Sequence, residues 1–307
     1  MIRYILRRLF HTVFVLFGIS LIVFVTVRLT GNPVAAMLQG SNPSVQAMAS
    51  LEKALGLNQP YIVQYWIFIK GIATLNFGTS FVTGQPVLPM IWSRLGATAL
   101  LAIGGIVVGV LIAIPVGILS AIRYGTILDV LGRGISLLGI SFPNYWLATM
   151  LILIFSVDLH WFPVAGSEGF SSLVLPSFTL GFILAGILAR LVRTSMLETL
   201  GSQYIVTARA KGLTRWRVII VHALRNALLP TITFMGIQFG GLLGGVVILE
   251  EVFSWPGIGR LVLTAVNERD YPVVQASVLL LSFLYIMVNL VVDLSYAFLD
   301  PRIRIGD

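Results

Sequence analysis

Six stretches of this chain run for about twenty residues or more without a charged side chain: 9–27, 95–122, 134–157, 169–189, 226–249 and 271–292. A helix rising about 1.5 Å per residue needs about 20 such residues to cross roughly 30 Å of hydrocarbon. The pattern therefore predicts an all-α polytopic membrane protein with six transmembrane helices. A seventh charge-free window, 71–93, is long enough but reads GIATLNFGTSFVTGQPVLPMIWS. Its three glycines, two prolines and scattered polar residues predict a loop.

Composition agrees with the pattern. Of 307 residues, 57% are apolar and only 10% charged, against about 25% charged in soluble domains. There is no cysteine, which removes thiolate metal sites and thiol nucleophiles. The net charge of +8 is read from its position along the chain. With the N-terminus inside, the cytosolic segments 1–8, 123–133, 190–225 and 293–307 carry 14 basic residues in 70 positions, and the opposite side carries 6 in 99. This bias places both termini in the cytosol and makes the charge an orientation signal, not a nucleic-acid footprint. The first apolar run exceeds a secretory h-region and no small-x-small site follows closely, so 1–28 is expected to be a retained signal-anchor helix. An extracytoplasmic segment, 29–94, and a five-helix core, 95–307, complete the expected organisation.

The outer segment carries helix punctuation: Asn42-Pro43 ahead of Met48, Leu51 and Leu55, then a second start at Pro60 before YIVQYWIFI. Tyr61, Tyr65, Trp66 and Phe68 suit a helix at the membrane interface. Such a segment either caps the bundle or receives an extracytoplasmic partner. The cytosolic segment 190–225 holds Arg190, Arg193, Arg209, Lys211, Arg215, Arg217 and Arg225. Ser202 is placed to cap a short helix ending at Gly212, and Thr214 to cap a second one ending before Pro230. The result is a basic knob under the membrane, in which small Ala208 and Ala210 admit a partner backbone while Arg209 and Lys211 meet carboxylates or phosphates. A basic amphipathic helix resting on the anionic lipid bilayer is the competing reading.

Several chemistries are absent from the sequence. No lysine follows a glycine, so there is no phosphate-cradling Gly-Lys-Ser/Thr loop, and neither HExxH nor a nucleophile elbow accompanies His11, His160 or His222. Ionisable residues inside a membrane mark ion or proton pathways. The candidate here is Asp293, with Asn289 one turn earlier on the same face. Pro143 is expected to bend the third span beside Ser141 and Asn144. Glycines in GIQFGGLLGG, 236–245, permit close helix contact or mobility. Ser141, Pro143, Asn144, Gln238, Asn289 and Asp293 are thus pathway or structural candidates. A passive pathway powered by a partner fits this inventory, while an ion-coupled transporter using Asp293 and a noncatalytic scaffold remain open.

The order of motifs adds a family signal. TARAKGL (207–213), LRNALLPT (224–231), FSWPGIGR (253–260), RDYPVVQA (269–276) and DPRIR (300–304), with LGLNQPYIVQYW (55–66) and LNFGTSF (75–81), resemble the dipeptide/oligopeptide/nickel permease family of ATP-binding-cassette importers. The resemblance covers essentially the whole chain and implies the type I importer permease fold, in a B-type subunit of the bacterial inner membrane. It further implies a homologous second permease subunit, two ATPase subunits that bind ATP and magnesium, and an extracytoplasmic solute-binding protein. This chain would itself hold no cofactor and hydrolyse nothing. Short peptides are the expected solute class, with nickel chelates, glutathione or opines as alternatives.

By the same resemblance, 203–213 is the coupling helix. Tyr204, Val206, Thr207, Ala208, Arg209, Ala210, Lys211, Gly212 and Leu213 are then its ATPase-coupling residues. Ala208 and Gly212 match small positions of the permeases' EAA signature, and Leu229 and Pro230 match its terminal Leu-Pro. Val206 stands where the general signature has glutamate, Thr207 where it has alanine, and the stretch from Gly212 to Pro230 is longer than usual.

Overall fold

A computed structural model describes residues 2–29, 31–37 and 45–299; the side chains of 2–9, 36–37, 47, 237, 239–245 and 292–299 lie outside that description. The expected cap at Asn42-Pro43 and the DPRIR motif fall outside it as well. The helices are α1 (Ile2–Leu29), α2 (Pro33–Met37), α3 (Val45–Ala54), α4 (Tyr61–Ala73), α5 (Val87–Ile122), α6 (Ile127–Ser141) and α7 (Asn144–Leu151). They are followed by α8 (Gly169–Leu200), α9 (Gln203–Ala210), α10 (Arg215–Arg217), α11 (Arg225–Val252), α12 (Ile258–Asn267) and α13 (Tyr271–Leu299). Two π-helical stretches, Ile152–Asp158 and Val218–Leu224, continue α7 and α10.

Among the described residues, five helical segments are long and apolar enough to cross a bilayer: Phe10–Leu29, Val87–Ile122, Gly169–Leu200, Arg215–Gly236 and Tyr271–Val291. The expected third span is the pair Ile127–Ser141 and Asn144–Asp158, bent by 105°, which completes six when counted as one. The bend expected at Pro143 is there, and it is sharp enough to interrupt the helix. The proline ring disfavours the α region for its predecessor, and here Phe142 (ψ 130°) and Pro143 (ψ 138°) are both extended. Phe142 then stacks on Trp146, with ring centroids 4.7 Å apart.

Of the loop expected over 71–93 only 74–86 is present, between the end of α4 and the start of α5, and within it Thr79 and Pro86 form an isolated antiparallel bridge. From Val87 the chain is helical, well before the charge-free window that begins at 95. A charge-free window marks the length that hydrocarbon tolerates, whereas the 36-residue helix is longer than a span needs and takes in Arg94 in its first turns. The second correction is at Pro230. It lies inside α11, which continues to Val252. Proline removes one donor, and the carbonyl it leaves open is that of Asn226, an exposed residue.

The chain divides into two compact units. The first is drawn from the described residues of 1–98 and 256–290. Its core joins Val23 and Val27 of α1, Val87 and Ile91 of α5, Ile258 and Leu261 of α12, and Val273 and Val274 of α13. The aromatic α4 does not lie free as an interface helix on all sides. Tyr65 sets its ring edge-on to Phe24 at 5.0 Å with its hydroxyl 3.0 Å from Ser20 Oγ, Phe68 stacks on Phe24, and Tyr61 and Trp66 stay exposed.

The second unit comprises 99–255 with 291–299. Between helices in lipid there is little hydrophobic drive, so close backbone approach through small residues carries the packing. Gly105, Gly109 and Gly117 of α5 face Leu180, Leu184 and Val192 of α8. Gly139 of α6 faces Gly186 of α8 so closely that a Cβ on Gly139 would stand 2.8 Å from the Phe182 carbonyl oxygen, and one on Gly186 2.7 Å from that of Ser136. The backbone of 236–245 is helical, but the glycines expected there to pack closely fall among the side chains outside the description, apart from half-buried Gly236.

Gly139→Val or Gly186→Val is expected to destabilise the protein by about 1–3 kcal/mol, because rigid backbone and not a flexible side chain meets the new group. Gly134→Ala on α6 meets nothing within 4 Å and is expected to leave the unfolding midpoint in detergent unchanged or slightly raised. Equal midpoints for Gly134→Ala and Gly186→Val would contradict this packing.

Candidate functional site

The basic knob forms around α9. Its opening does not use the expected side-chain caps. The Ser202 hydroxyl donates backward to the Thr199 carbonyl (2.6 Å), satisfying the end of α8, while the Ser202 carbonyl accepts from Ile205 N–H. Thr214 precedes α10 likewise without a side-chain bond to it, its carbonyl accepting from Val218 N–H.

The end of α9 is as expected. Gly212 has φ +76°, its N–H donates to the Arg209 carbonyl (2.9 Å), and Leu213 N–H reaches back to the Ala208 carbonyl (3.4 Å). This is the paired closure of a Schellman stop, in which a left-handed residue lets the last carbonyls find donors. Leu213 then packs on the cluster containing Ile205, Ala208, Val218, Ile219 and Ala223.

Two faces of α9 follow. Ile205 and Ala208 point inward, whereas Tyr204, Val206, Thr207, Arg209, Ala210 and Lys211 are exposed. Ala208 therefore does not offer its small side to a partner, as sequence reading expected; it lets α9 lie close on its own supporting helix. Ala210 keeps the outward position. The Tyr204 hydroxyl accepts from Asn226 Nδ2 (2.7 Å) and donates to the His222 carbonyl (3.4 Å), tying α9 to the π-helical stretch Val218–Leu224 and the start of α11. Among the described residues no carboxylate pairs with Arg209, Lys211, Arg215 or Arg217. The knob thus presents unneutralised cations on a rigid frame. Leu229 and Pro230 are exposed on α11, beyond that frame.

Of the other candidates, Ser141 and Pro143 are exposed at the break, and Asn144, Gln238 and Asn289 are half-buried. No hydrogen bond joins Ser141, Asn144 and Gln238 among the described residues. The Asp293 side chain lies outside the description.

The scan of family models matches residues 113–305 to the binding-protein-dependent transport system inner membrane component, and residues 1–102 to the N-terminal part of such membrane components. The chain belongs to this permease family. It is 42% identical over 304 residues, 99% of either chain, to the glutathione transport system permease protein GsiC of Salmonella typhimurium. To the dipeptide transport system permease protein DppB of Alkalihalophilus pseudofirmus it is 40% identical, covering 99% of this chain and 100% of that one. Its fold matches a solved inward-facing MetNI methionine ABC transporter chain with a TM-score of 0.58 at 22% identity, over 69% of this chain and 98% of that chain. An amino acid ABC transporter solved with histidines matches with a TM-score of 0.53 at 14% identity, over 70% and 95%. The permease is therefore an inner-membrane component with the ABC importer permease fold, as the motif order implied.

Sequence reading missed three polar clusters of the permease. On α6, Asp129 is 1% exposed and receives Arg193 of α8 in a two-pronged bond, Nε to Oδ1 at 2.7 Å and Nη2 to Oδ2 at 2.9 Å, with Gly125 N–H adding a third donor at 3.2 Å. The visible local partner, Arg133 at i+4, is only a 3.7 Å neighbour. In the first unit, Asp270 accepts from the Ser80 hydroxyl and from Phe81 N–H, so two quoted motifs, LNFGTSF and RDYPVVQA, meet there. The third is Arg28 with Gln64, joined at 2.7 Å.

Removing one partner of a buried, two-pronged pair leaves a stranded charge, at a cost of about 3–5 kcal/mol. Arg193→Leu is expected to show that loss as a lowered unfolding midpoint in detergent, and Asp129→Leu combined with it to regain most of the loss. A double variant as unstable as Arg193→Leu would show that the two side chains do not act as a pair.

Proposed function

We propose that this permease is the B-type subunit of an ATP-driven importer that moves di- or oligopeptides across the bacterial cytoplasmic membrane. One copy pairs with a homologous second permease subunit, two ATPase subunits bind ATP and magnesium and supply hydrolysis, and an extracytoplasmic binding protein delivers solute. Both termini are cytosolic, on the side that carries the basic loops. The peptide class is supported by relatives named for dipeptide and glutathione transport, glutathione being itself a short peptide.

The observation that carries the reading is α9, a helix short enough to sit in a groove, cationic on its outer face, and stopped by left-handed Gly212. Closure of the ATPase dimer on ATP pushes α9. Its inward face, Ile205, Ala208 and Leu213, and the Tyr204–Asn226 bond pass that displacement to α11. Differential contact with the two ATPase states biases the spans between outward- and inward-open forms, and hydrolysis resets them. Energy enters mechanically because the sequence offers no phosphate loop of its own.

A side chain at Gly212 meets nothing within 4 Å, so substitution there tests backbone conformation without a clash. A β-branched residue at that φ costs about 1–2 kcal/mol and reopens the stop, whereas asparagine tolerates it. In the reconstituted importer, Gly212→Val is expected to lower ATP-driven peptide uptake at least about tenfold while ATP hydrolysis persists, and Gly212→Asn to retain most uptake. Full uptake by Gly212→Val would remove α9 from the coupling role. Uphill uptake by the chain alone in vesicles under an ion gradient would replace the whole reading with ion-coupled transport through Asp293.

A further inference from the structure

The first unit contains a cavity of about 520 Å³ where the C-terminal end of α1 meets α4 and the start of α13. Water occupies about 30 Å³ per molecule in the liquid, so this is room for a chemical group and not for a single ion. Its lining includes Arg28 and Lys70 and no carboxylate.

Two donors there are unspent. The Nε of Arg28 and the side-chain amide nitrogen of Gln275, a residue only 6% exposed, are buried without a hydrogen-bond partner. The rest of the Arg28 fork is engaged, Nη1 to the Phe24 carbonyl (3.0 Å) and Nη2 to Gln64 Oε1 (2.7 Å), while its guanidinium lies over the Phe24 ring. Gln64 spends its own amide hydrogens on the Leu57 and Gln59 carbonyls. The guanidinium is thus fixed in place with its Nε–H unspent. Buried donors without an acceptor are costly, and a cationic wall with spare donors is complementary to an oxyanion. Two carboxylates stand near but outside the lining: Glu52, which lines a smaller cavity of about 240 Å³ beside Arg28 and accepts from Asn32 Nδ2 at 2.6 Å, and Asp270, which is spent on the Ser80 hydroxyl and Phe81 N–H.

The surroundings decide which oxyanion. Along α4, which supplies Ile67, Phe68 and Lys70 to the lining, Ile62 is 84% exposed, Trp66 69% and Ile67 59%. Arg28 ends the apolar run Phe10–Leu29. An anionic group at the level of a span's end, flanked by an exposed apolar helical face with an exposed tryptophan, matches a phospholipid at the interface: phosphate in the cavity, acyl chains along α4. We infer that the cavity bounded by Arg28, Lys70 and Gln275 is a binding site for the phosphate headgroup of an anionic phospholipid, a role separate from solute passage.

The test uses the full chain purified in detergent, titrated with dioleoylphosphatidylglycerol or dioleoylphosphatidylcholine and followed by native mass spectrometry. The expected result is preferential retention of phosphatidylglycerol. Lys70 is exposed, so Lys70→Gln is expected to fold normally and to weaken that retention about fivefold, the effect of one interfacial cation. Gln275→Leu weakens it as well, and neither change alters phosphatidylcholine binding. Equal retention of the two lipids, or undiminished phosphatidylglycerol binding in the double variant, would overturn the site. Displacement of the lipid by glycerol 1-phosphate at equal concentration would also overturn it, by showing a site for free anions that gains nothing from acyl chains.

Discussion

In hydrocarbon no water stands ready to complete a hydrogen bond, so every polar group must be answered from within the chain. The same accounting of donors and acceptors runs through this permease, in its spans and in the basic knob alike. Where the chain breaks at Pro143, Phe142 N–H still reaches the Leu138 carbonyl and Leu147 N–H the Pro143 carbonyl. Where α9 stops, Gly212 and Leu213 close its last turn. Buried Asp129 is tolerated because three N–H donors converge on it.

The same solvent removes most of the usual reason for helices to associate, and glycine fills the gap. Gly139 against Gly186 brings α6 and α8 into backbone contact, and Asp129 with Arg193 ties the same two helices elsewhere along their length. A dispersion contact and an ion pair thus act on one interface. The first depends on the absence of a side chain and the second on the presence of two, so neither substitutes for the other. The fixed α6–α8 pair stands beside the helix that carries the knob, since α8 ends at Leu200 and α9 follows at Gln203.

Much of this was legible in the order of residues. Charge-free length located the spans, since the hydrophobic requirement is local and additive along a segment. Gly212 was legible as a stop because left-handed backbone is a property of one residue. The orientation of Ala208 was not, because an alanine fits equally against a partner or against its own support, and only the packing of Val218 and Ile219 decides. Asp129 was obscured by Arg133, a plausible neighbour at i+4, when its real partner lies 64 residues away. The spare donors on Arg28 and Gln275 were invisible for a similar reason: a missing partner can be recognised only when everything nearby is in place. The early start of α5 escaped because apolar length measures the lipid, and α5 outruns it.

The stretch Val218–Leu224 winds wider than an α-helix, taking up about one surplus residue between the basic foot and α11. A rod interrupted in this way is not a strut of fixed phase. Were these seven residues to tighten to ordinary pitch, everything beyond Arg225 would swing by about 100° about its own axis. In the proposed coupling this loose coil is where a push on α9 would become a rotation of α11, with the Tyr204 to Asn226 bond clamped across it.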